Sequence, residues 1–269
     1  MIIAHLLIKN EENFVWYSVM SVIDNIDKIM IWDTGSTDNT KEIVKEIIKK
    51  YKDKIEYRET GEVDKTQYTK IRQQMVDETK FGWIFVLDGD EIWWSDSIKK
   101  VVNFINKKGN DFETIIVPTF NLVGDMFHYQ EKSAGKYKFG NRVGHYALRF
   151  MNKDINGLHV SDEYGKEGYF DNENKPIQNR NQDKQKFINA PYIHTTHLMR
   201  SSKDKNVMQR NKKLKYEIGT EFPKDFYYPE VFFKEKPTMV SNIWKNTNFN
   251  FKLKAFVETP LRKIKRKLK

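Results

Sequence analysis

The first hundred residues alternate short apolar runs with amphipathic stretches, and few folds accommodate that rhythm. Ile2 to Ile8, Lys28 to Trp32 and Trp83 to Leu87 read as strands, with a shorter one at Ile55 to Arg58. Between them, Asn13 to Ile23 reads as a helix, and so does Lys41 to Tyr51, where Ile43, Val44, Ile47, Ile48 and Tyr51 recur at helical spacing. The turn Asp33-Thr34-Gly35-Ser36-Thr37-Asp38-Asn39-Thr40 leads into that second helix, with Asp38 or Thr37 expected to cap it. A third helix is expected from about Thr66 to Lys80, its stripe formed by Ile71, Met75, Val76 and Thr79. Strand and helix in this alternation give an α/β fold around a mainly parallel sheet.

The second half is less regular. Strands are expected at Phe112 to Phe120 and Tyr146 to Met151, with a polar loop between them at Glu131 to Arg142. Asp171 to Lys186 has almost no apolar content and reads as a surface excursion. Tyr192 to Leu198 is expected to hold a short strand, followed by a polar helix from Lys203 to about Glu217. These patterns divide the chain into residues 1–125, residues 126–225 of the same domain, and an extension at 226–269.

A chain of 269 residues can bury a substantial core. It has no cysteine, which excludes disulfides and thiolate metal sites and favours a reducing compartment. No apolar run approaches the roughly 18 residues of a membrane span. The N-terminus lacks a basic region and a small-residue cleavage site, so it reads as a first strand and not as a signal peptide. Net charge is +10, but residues 252–269 carry eight basic side chains and one acidic, +7 of that total. The remainder is nearly balanced, which argues against nucleic acid as a partner of the fold.

Asp88, Asp90 and Glu91 follow the apolar run Trp83 to Leu87 within four positions. In an open parallel sheet, ligands gather at the carboxyl ends of the strands. Carboxylates this close raise one another's pKa, and a divalent cation relieves the conflict. Hard oxygen ligands suit Mg2+ or Mn2+, which also bridge phosphates. Gly89 would let backbone approach a ligand closely.

Lys9-Asn10-Glu11-Glu12 after the first strand, Asp33 to Asp38 after the second, Arg72 in the third helix, and Phe81 to Glu91 occur in an order that resembles family 2 glycosyltransferases of the GT-A fold. The resemblance is closest to bacterial enzymes of lipopolysaccharide-core and surface-glycan synthesis, and it covers roughly residues 1–95. It implies a Rossmann-like, nucleotide-diphospho-sugar transferase domain, a nucleotide-sugar donor, and a metal-dependent inverting transfer to a glycan or lipid-linked acceptor. Carried over by position, Asp33 would meet the nucleobase, Asn10 and Glu11 would line the nucleoside pocket, and Arg72 would face the nucleotide. Asp88 would contact the ribose or the metal shell, and Asp90 would bind the metal. The resemblance also implies a general base in the second half, for which the candidates are Glu163 and Asp162. A late histidine completes the metal site in several such enzymes, which brings in His194 and His197. Their spacing on a strand would let only one of them point at the ion. Trp93 and Trp94, next to the acidic cluster, are a candidate stacking platform for sugar, against the plainer reading of core packing.

From Leu253 onward, Phe256, Val257, Leu261, Ile264 and Leu268 recur at three- or four-residue steps among lysines and arginines. This reads as a basic amphipathic helix, interrupted or started near Pro260, and suited to an anionic membrane surface. The expected location is cytoplasmic, peripheral at the inner face of the membrane. Two rival readings are a nucleotidyltransferase that makes the nucleotide sugar, and an inactive glycan- or membrane-binding module. The first wants a glycine-rich phosphate loop after strand one, where this chain has Lys9-Asn10-Glu11-Glu12. Intact Asp88 and Asp90 argue against the second.

Overall fold

A computed structural model describes residues 1–162, 167–204 and 213–268. The elements run β1 (Ile2–Ile8), α1 (Val15–Val22), β2 (Lys28–Asp33), α2 (Thr40–Tyr51), β3 (Ile55–Glu59), α3 (Lys65–Glu78), β4 (Trp83–Leu87), β5 (Glu91–Trp93) and α4 (Ser95–Lys108). They continue with β6 (Thr114–Asn121), β7 (His128–Tyr129), β8 (Tyr137–Phe139), β9 (Arg142–Gly144), β10 (Tyr146–Asn152), β11 (His159–Ser161), β12 (Gly168–Phe170), β13 (Gln185–Phe187), β14 (Tyr192–His194), β15 (Thr220–Glu221) and α5 (Phe249–Lys267).

The central sheet has the order β3-β2-β1-β4-β10-β6-β14-β5, with β13 added beside β6. Strands β3, β2, β1 and β4 are parallel, and β10 is inserted antiparallel between β4 and β6. Both faces of β1 and β4 are covered, which is why they read as unbroken apolar runs. On one face Ile2, Ala4, Leu6, Ile8, Trp83, Phe85 and Leu87 pack with α1, α2 and α4. On the other, Ile3 and Leu7 meet Ile71 and Met75 of α3, while Ile84 and Val86 meet Val76 and Met151. The period-two alternation thus splits each strand between two cores.

Register places the site. Ile8 pairs with Asp33 and Leu6 with Leu87, so the loops after β1, β2 and β4 leave the sheet at one edge. The first two loops are tied together: Ser36 Oγ accepts from the Asn10 backbone at 2.9 Å, Asn10 Oδ1 accepts from the Thr37 backbone at 2.8 Å, and Thr40 Oγ1 accepts from the Glu11 backbone at 2.8 Å. Asn10 takes a positive φ of 54° to make these contacts. The cap of α2 differs from expectation. Asn39 occupies the N-cap position, and Asp38 accepts from the first helical N–H, that of Thr40, at 2.9 Å.

The second half departs further. The expected loop at 131–142 contains a short 3-10 turn and the β8–β9 hairpin. The excursion at 171–186 is anchored, because Arg180 reaches Glu113 at 2.7 and 2.9 Å and pairs with buried Asp171. Of the expected helix at 203–217, residues 205–212 lie outside the described residues, and 213–217 are not helical. That stretch is held across the domain instead, by His197 Nδ1 on the Lys213 carbonyl and by Glu217 accepting from Gln130 and Arg266. Helix α5 runs through Pro260. Immediately before it, Thr259 Oγ1 donates to the Ala255 carbonyl and accepts from the Ile218 backbone at 2.8 Å, which docks the helix where proline weakens it.

Candidate active site

A cavity of about 420 Å³ opens at the strand ends, lined by Ile8, Glu11, Thr34, Tyr68, Arg72, Asp88, Asp90, Arg149, Tyr169, His194 and Arg200 among others. Asp88 leaves the end of β4, and Asp90 precedes β5. His194 ends β14, directly across from Glu91 in the antiparallel β14–β5 pair. One ligand atom from each of Asp88, Asp90 and His194 lies within 4.8 Å of the others. His194 Nε2 is 3.3 Å from Asp90 Oδ1, and Arg200 Nη1 is 3.5 Å from Asp90 Oδ2.

Two carboxylates and an imidazole are a donor set that fits a divalent ion of the Mn2+ or Mg2+ class. Guanidinium groups stand against the same carboxylates. Arg149 stands 3.2 Å from Asp88 and pairs with Glu91; Arg200 pairs with Glu11; Arg72 lies 3.9 Å from Asp88. Burial pushes the Asp88 carboxyl up, but Arg149 and Arg72 outweigh it and hold the group below the usual carboxylate range. Glu91 is fully buried, and burial prevails over Arg149, pushing it up to about 7.

Asp33 divides its work between two oxygens. Oδ1 accepts from the Gly35 and Ser36 backbones at 2.9 and 2.7 Å, which is the turn chemistry. Oδ2 is buried without a hydrogen-bond partner among the described residues, as is Asn10 Nδ2. Buried polar atoms left unsatisfied call for a partner, and a ligand in the adjoining cavity supplies one. Arg72 is buried between two hydroxyls, donating to Tyr68 at 2.9 Å and to Tyr169 at 3.4 Å, with its Nε also unpartnered. Gly89 is crowded by protein: a Cβ there would stand 2.9 Å from Glu11 Cγ. The space it leaves is therefore taken by the loop after β1.

Other sequence expectations fare differently. His197 lies past the end of β14, and its Nε2 faces Gln130 and Lys215 at 3.1 Å, away from the three-ligand group. Trp93 and Trp94 are core residues and not a sugar platform. Trp93 is fully buried, stacked on Tyr192 and edge-on to Phe85; Trp94 packs against Phe120 and Phe226, its Nε1 donating to the Tyr227 carbonyl at 2.8 Å. Asp162 is exposed with φ of 74°, and its carbonyl accepts from Thr69. Glu163 lies outside the described residues.

Sequence reasoning missed Arg149 and Arg200. Arg149 occupies a β-bulge, where the β10–β6 register shifts between Leu148 and Phe150. The bulge frees its side chain from the alternation and aims it at the site. An arginine inside the apolar run Tyr146 to Met151 was the available signal. Arg200 had none, since it follows a strand in an irregular segment.

Fold and site together define an α/β domain with a polar cavity and a three-ligand group at the carboxyl ends of its parallel strands. The chain matches the family model of glycosyl transferase family 2 over residues 6–208, and it belongs to that family. Among solved structures it is similar to residues 1–349 of TarS from S. aureus, at 13% identity and a TM-score of 0.43, over 72% of this chain and 60% of that one. It is also similar to glucosyl-3-phosphoglycerate synthase from Mycobacterium tuberculosis, solved with Mn2+, UDP-glucose and phosphoglyceric acid, at 14% identity and a TM-score of 0.45, over 72% of each chain. A third likeness is to the mannosyltransferase PcManGT from Pyrobaculum calidifontis, solved with GDP-mannose and Mn2+, at 15% identity and a TM-score of 0.35, over 45% of this chain and 35% of that one. No curated protein sequence matches it.

Proposed function

We propose that the protein is a metal-dependent inverting glycosyltransferase that moves a sugar from a nucleoside-diphosphate donor to a glycan or lipid-linked acceptor in surface-polysaccharide or lipopolysaccharide synthesis. The convergence of Asp88, Asp90 and His194 within 4.8 Å, in a cavity at the ends of parallel strands, carries this reading. Asp90 and His194 would hold Mn2+ or Mg2+, with Asp88 in the metal shell or on the ribose. When bound, such an ion supplies Lewis-acid stabilisation of the leaving diphosphate. Asp33 Oδ2 accepts from the nucleobase edge, and Asn10 and Glu11 line the nucleoside pocket. Arg72, held by two tyrosine hydroxyls, adds fixed positive charge toward the phosphates.

Residues 1–125 serve as the donor half and 126–225 as the acceptor half. The acceptor hydroxyl must lose a proton as it attacks. Glu163 and Asp162 are the proposed bases. Asp162 directly follows β11, and Tyr169 of β12 together with Glu167 lines the donor cavity.

No helix of the described residues is long and apolar enough to cross a membrane. Helix α5 instead exposes Phe249, Leu253, Phe256, Val257, Leu261 and Ile264 along one stripe, and buries Ala255 and Thr259. An outward apolar stripe flanked by lysines fits peripheral attachment to an anionic bilayer from the cytoplasmic side.

A thermal-shift screen of UDP, GDP, CDP and dTDP, each with and without Mn2+, tests the donor site. Stabilisation by one nucleotide that requires Mn2+ is expected, followed by release of that nucleotide from its sugar conjugates. Metal-independent binding would overturn the assignment, and pyrophosphate chemistry would favour the nucleotidyltransferase.

A further inference from the structure

Arg149 and His194 form a wall shared by two cavities. One is the donor cavity; the other, of about 460 Å³, lies on their far side and is lined by Gln130, Lys136, Tyr137, His145, His197 and Lys215 among others. No acidic side chain lines the second cavity among the described residues. On the Lys215 side the neighbouring carboxylates are already engaged: buried Glu217 accepts from Gln130 at 2.8 Å and from Arg266 at 2.7 Å, and Glu131 pairs with Arg266 and Lys263 at 3.2 and 3.6 Å. Helix α5 thus neutralises the acids that would otherwise balance this cavity.

The polar wall is otherwise satisfied. His145 bonds Asn121 Nδ2 at 2.9 Å through Nδ1 and the Glu131 carbonyl at 3.0 Å through Nε2, so it is a neutral tautomer. Arg149 is spent on Glu91, Asp88 and the Tyr192 hydroxyl. Lys136 is exposed at the rim, and Lys215 is half-buried with its Nζ 3.1 Å from His197 Nε2. Lys215 lies in a field of like charge: burial holds its ammonium below the usual lysine range, and Arg262, Arg266 and Lys136 add to this against Glu217. Like charges gathered in a concave site are stabilised when an anion enters.

We propose that this second cavity is the acceptor subsite and that the acceptor carries a phosphate group seated between Lys136 and Lys215. The assignment rests on the donor reading above for the identity of the neighbouring cavity. It does not rest on it for the charge of the pocket. Lysine binds phosphate as a flexible point charge, which suits acceptors of varied shape. The phosphate can belong to a soluble sugar phosphate or to a lipid carrier.

Titration calorimetry of glucose 6-phosphate, glucuronate and glucose into the full chain tests this, first alone and then with the nucleoside diphosphate selected by the screen plus Mn2+. Glucose 6-phosphate should bind tightest in both series. Lys136→Glu and Lys215→Met should each weaken it at least tenfold, roughly the loss of one charge-assisted contact. Lys215→Arg should keep it, and all three variants should keep wild-type affinity for the nucleotide with Mn2+. Lys136 is exposed, so its variant reads binding without a folding defect. Equal binding of the three ligands, or lysine variants without effect, overturns the proposal, and a preference for glucuronate overturns the phosphate. Failure of nucleotide to bind sinks the donor reading alone, since the nucleotide-free titrations still decide the pocket. Vesicles of phosphatidylglycerol separate the sources: the half-buried Lys215→Met variant weakens vesicle binding only if the phosphate is lipid-borne.

Discussion

Arg149 Nη2 lies 3.2 Å from Asp88 Oδ2 while the same nitrogen pairs with Glu91, so one guanidinium spans the carboxylates on either side of Gly89-Asp90. The bulge in β10 makes this reach available. Breaking a buried pair by removing one partner leaves an uncompensated charge, at a cost of about 3–5 kcal/mol. Arg149→Met should therefore lower unfolding free energy in urea by about that amount. Glu91→Gln should cost less, because burial already drives Glu91 toward its neutral form. The double variant should recover part of the loss, and strict additivity would mean that the two residues are not coupled.

Asp90 is the only acid of the three-ligand group that is almost fully buried, and its backbone carbonyl is fixed by the Thr195 N–H at 2.9 Å. Its side chain can change without moving the chain. Asp90→Ala should keep the apo melting temperature within a few degrees and abolish the Mn2+-dependent shift by nucleotide. His194→Ala should weaken Mn2+ at least tenfold, while His197→Ala should leave Mn2+ affinity unchanged, because His197 faces Gln130 and Lys215. A His197 variant as defective in Mn2+ binding as the His194 variant would reverse the assignment.

The first half was legible because its signals are local. The strands β1 and β4 are doubly buried and show as apolar runs, and parallel pairing carries Asp33 and Asp88 to the same edge without further information. The same logic fails after β5. Arg149 acts through a bulge, which shifts side chains off the period that sequence reading relies on. Trp93 and Trp94 sit beside the acidic cluster in sequence, yet the turn of β5 against β14 sends both into the core. Segment 213–217 is polar enough for a helix, but its place is set by long-range bonds to Gln130 and Arg266, which no window of sequence contains.

His5 is fully buried in β1, with Nε2 2.7 Å from Thr79 Oγ1 and Nδ1 unpartnered. Burial, then Arg72 and Lys153, push its pKa down to about 3. Below pH 6.5 the unfolded chain takes up a proton that the folded chain refuses. The stability linked to His5 is therefore complete above pH 6.5 and is lost progressively as pH falls toward 3. Between pH 6.5 and 5 the loss is about 2 kcal/mol. Glu91 works in the opposite direction, since its raised pKa favours the folded state as pH falls from about 7 toward 4.5. The difference between wild type and His5→Leu cancels that contribution. Stability measured by urea at pH 6.5 and 5 should show a smaller fall in the variant, and identical slopes would mean that His5 titrates normally.

The apolar stripe of α5 faces away from the domain, with Phe256 71% and Leu261 63% exposed. Arg266 is turned inward to Glu131 and Glu217, and Arg262 pairs with Glu258 at 2.6 Å. The charges left for a membrane are therefore lysines, each worth about 1 kcal/mol near an anionic surface. Co-sedimentation with phosphatidylglycerol vesicles should be strong at low salt and fall as salt screens the lysines. Phe256→Glu with Leu261→Glu should remove it with little change in melting temperature, because neither side chain packs against the core. Arg266→Met should instead destabilise the chain by about 1–3 kcal/mol, since it strands buried Glu217. If the double glutamate variant sedimented like wild type, the stripe would not be the membrane-facing surface.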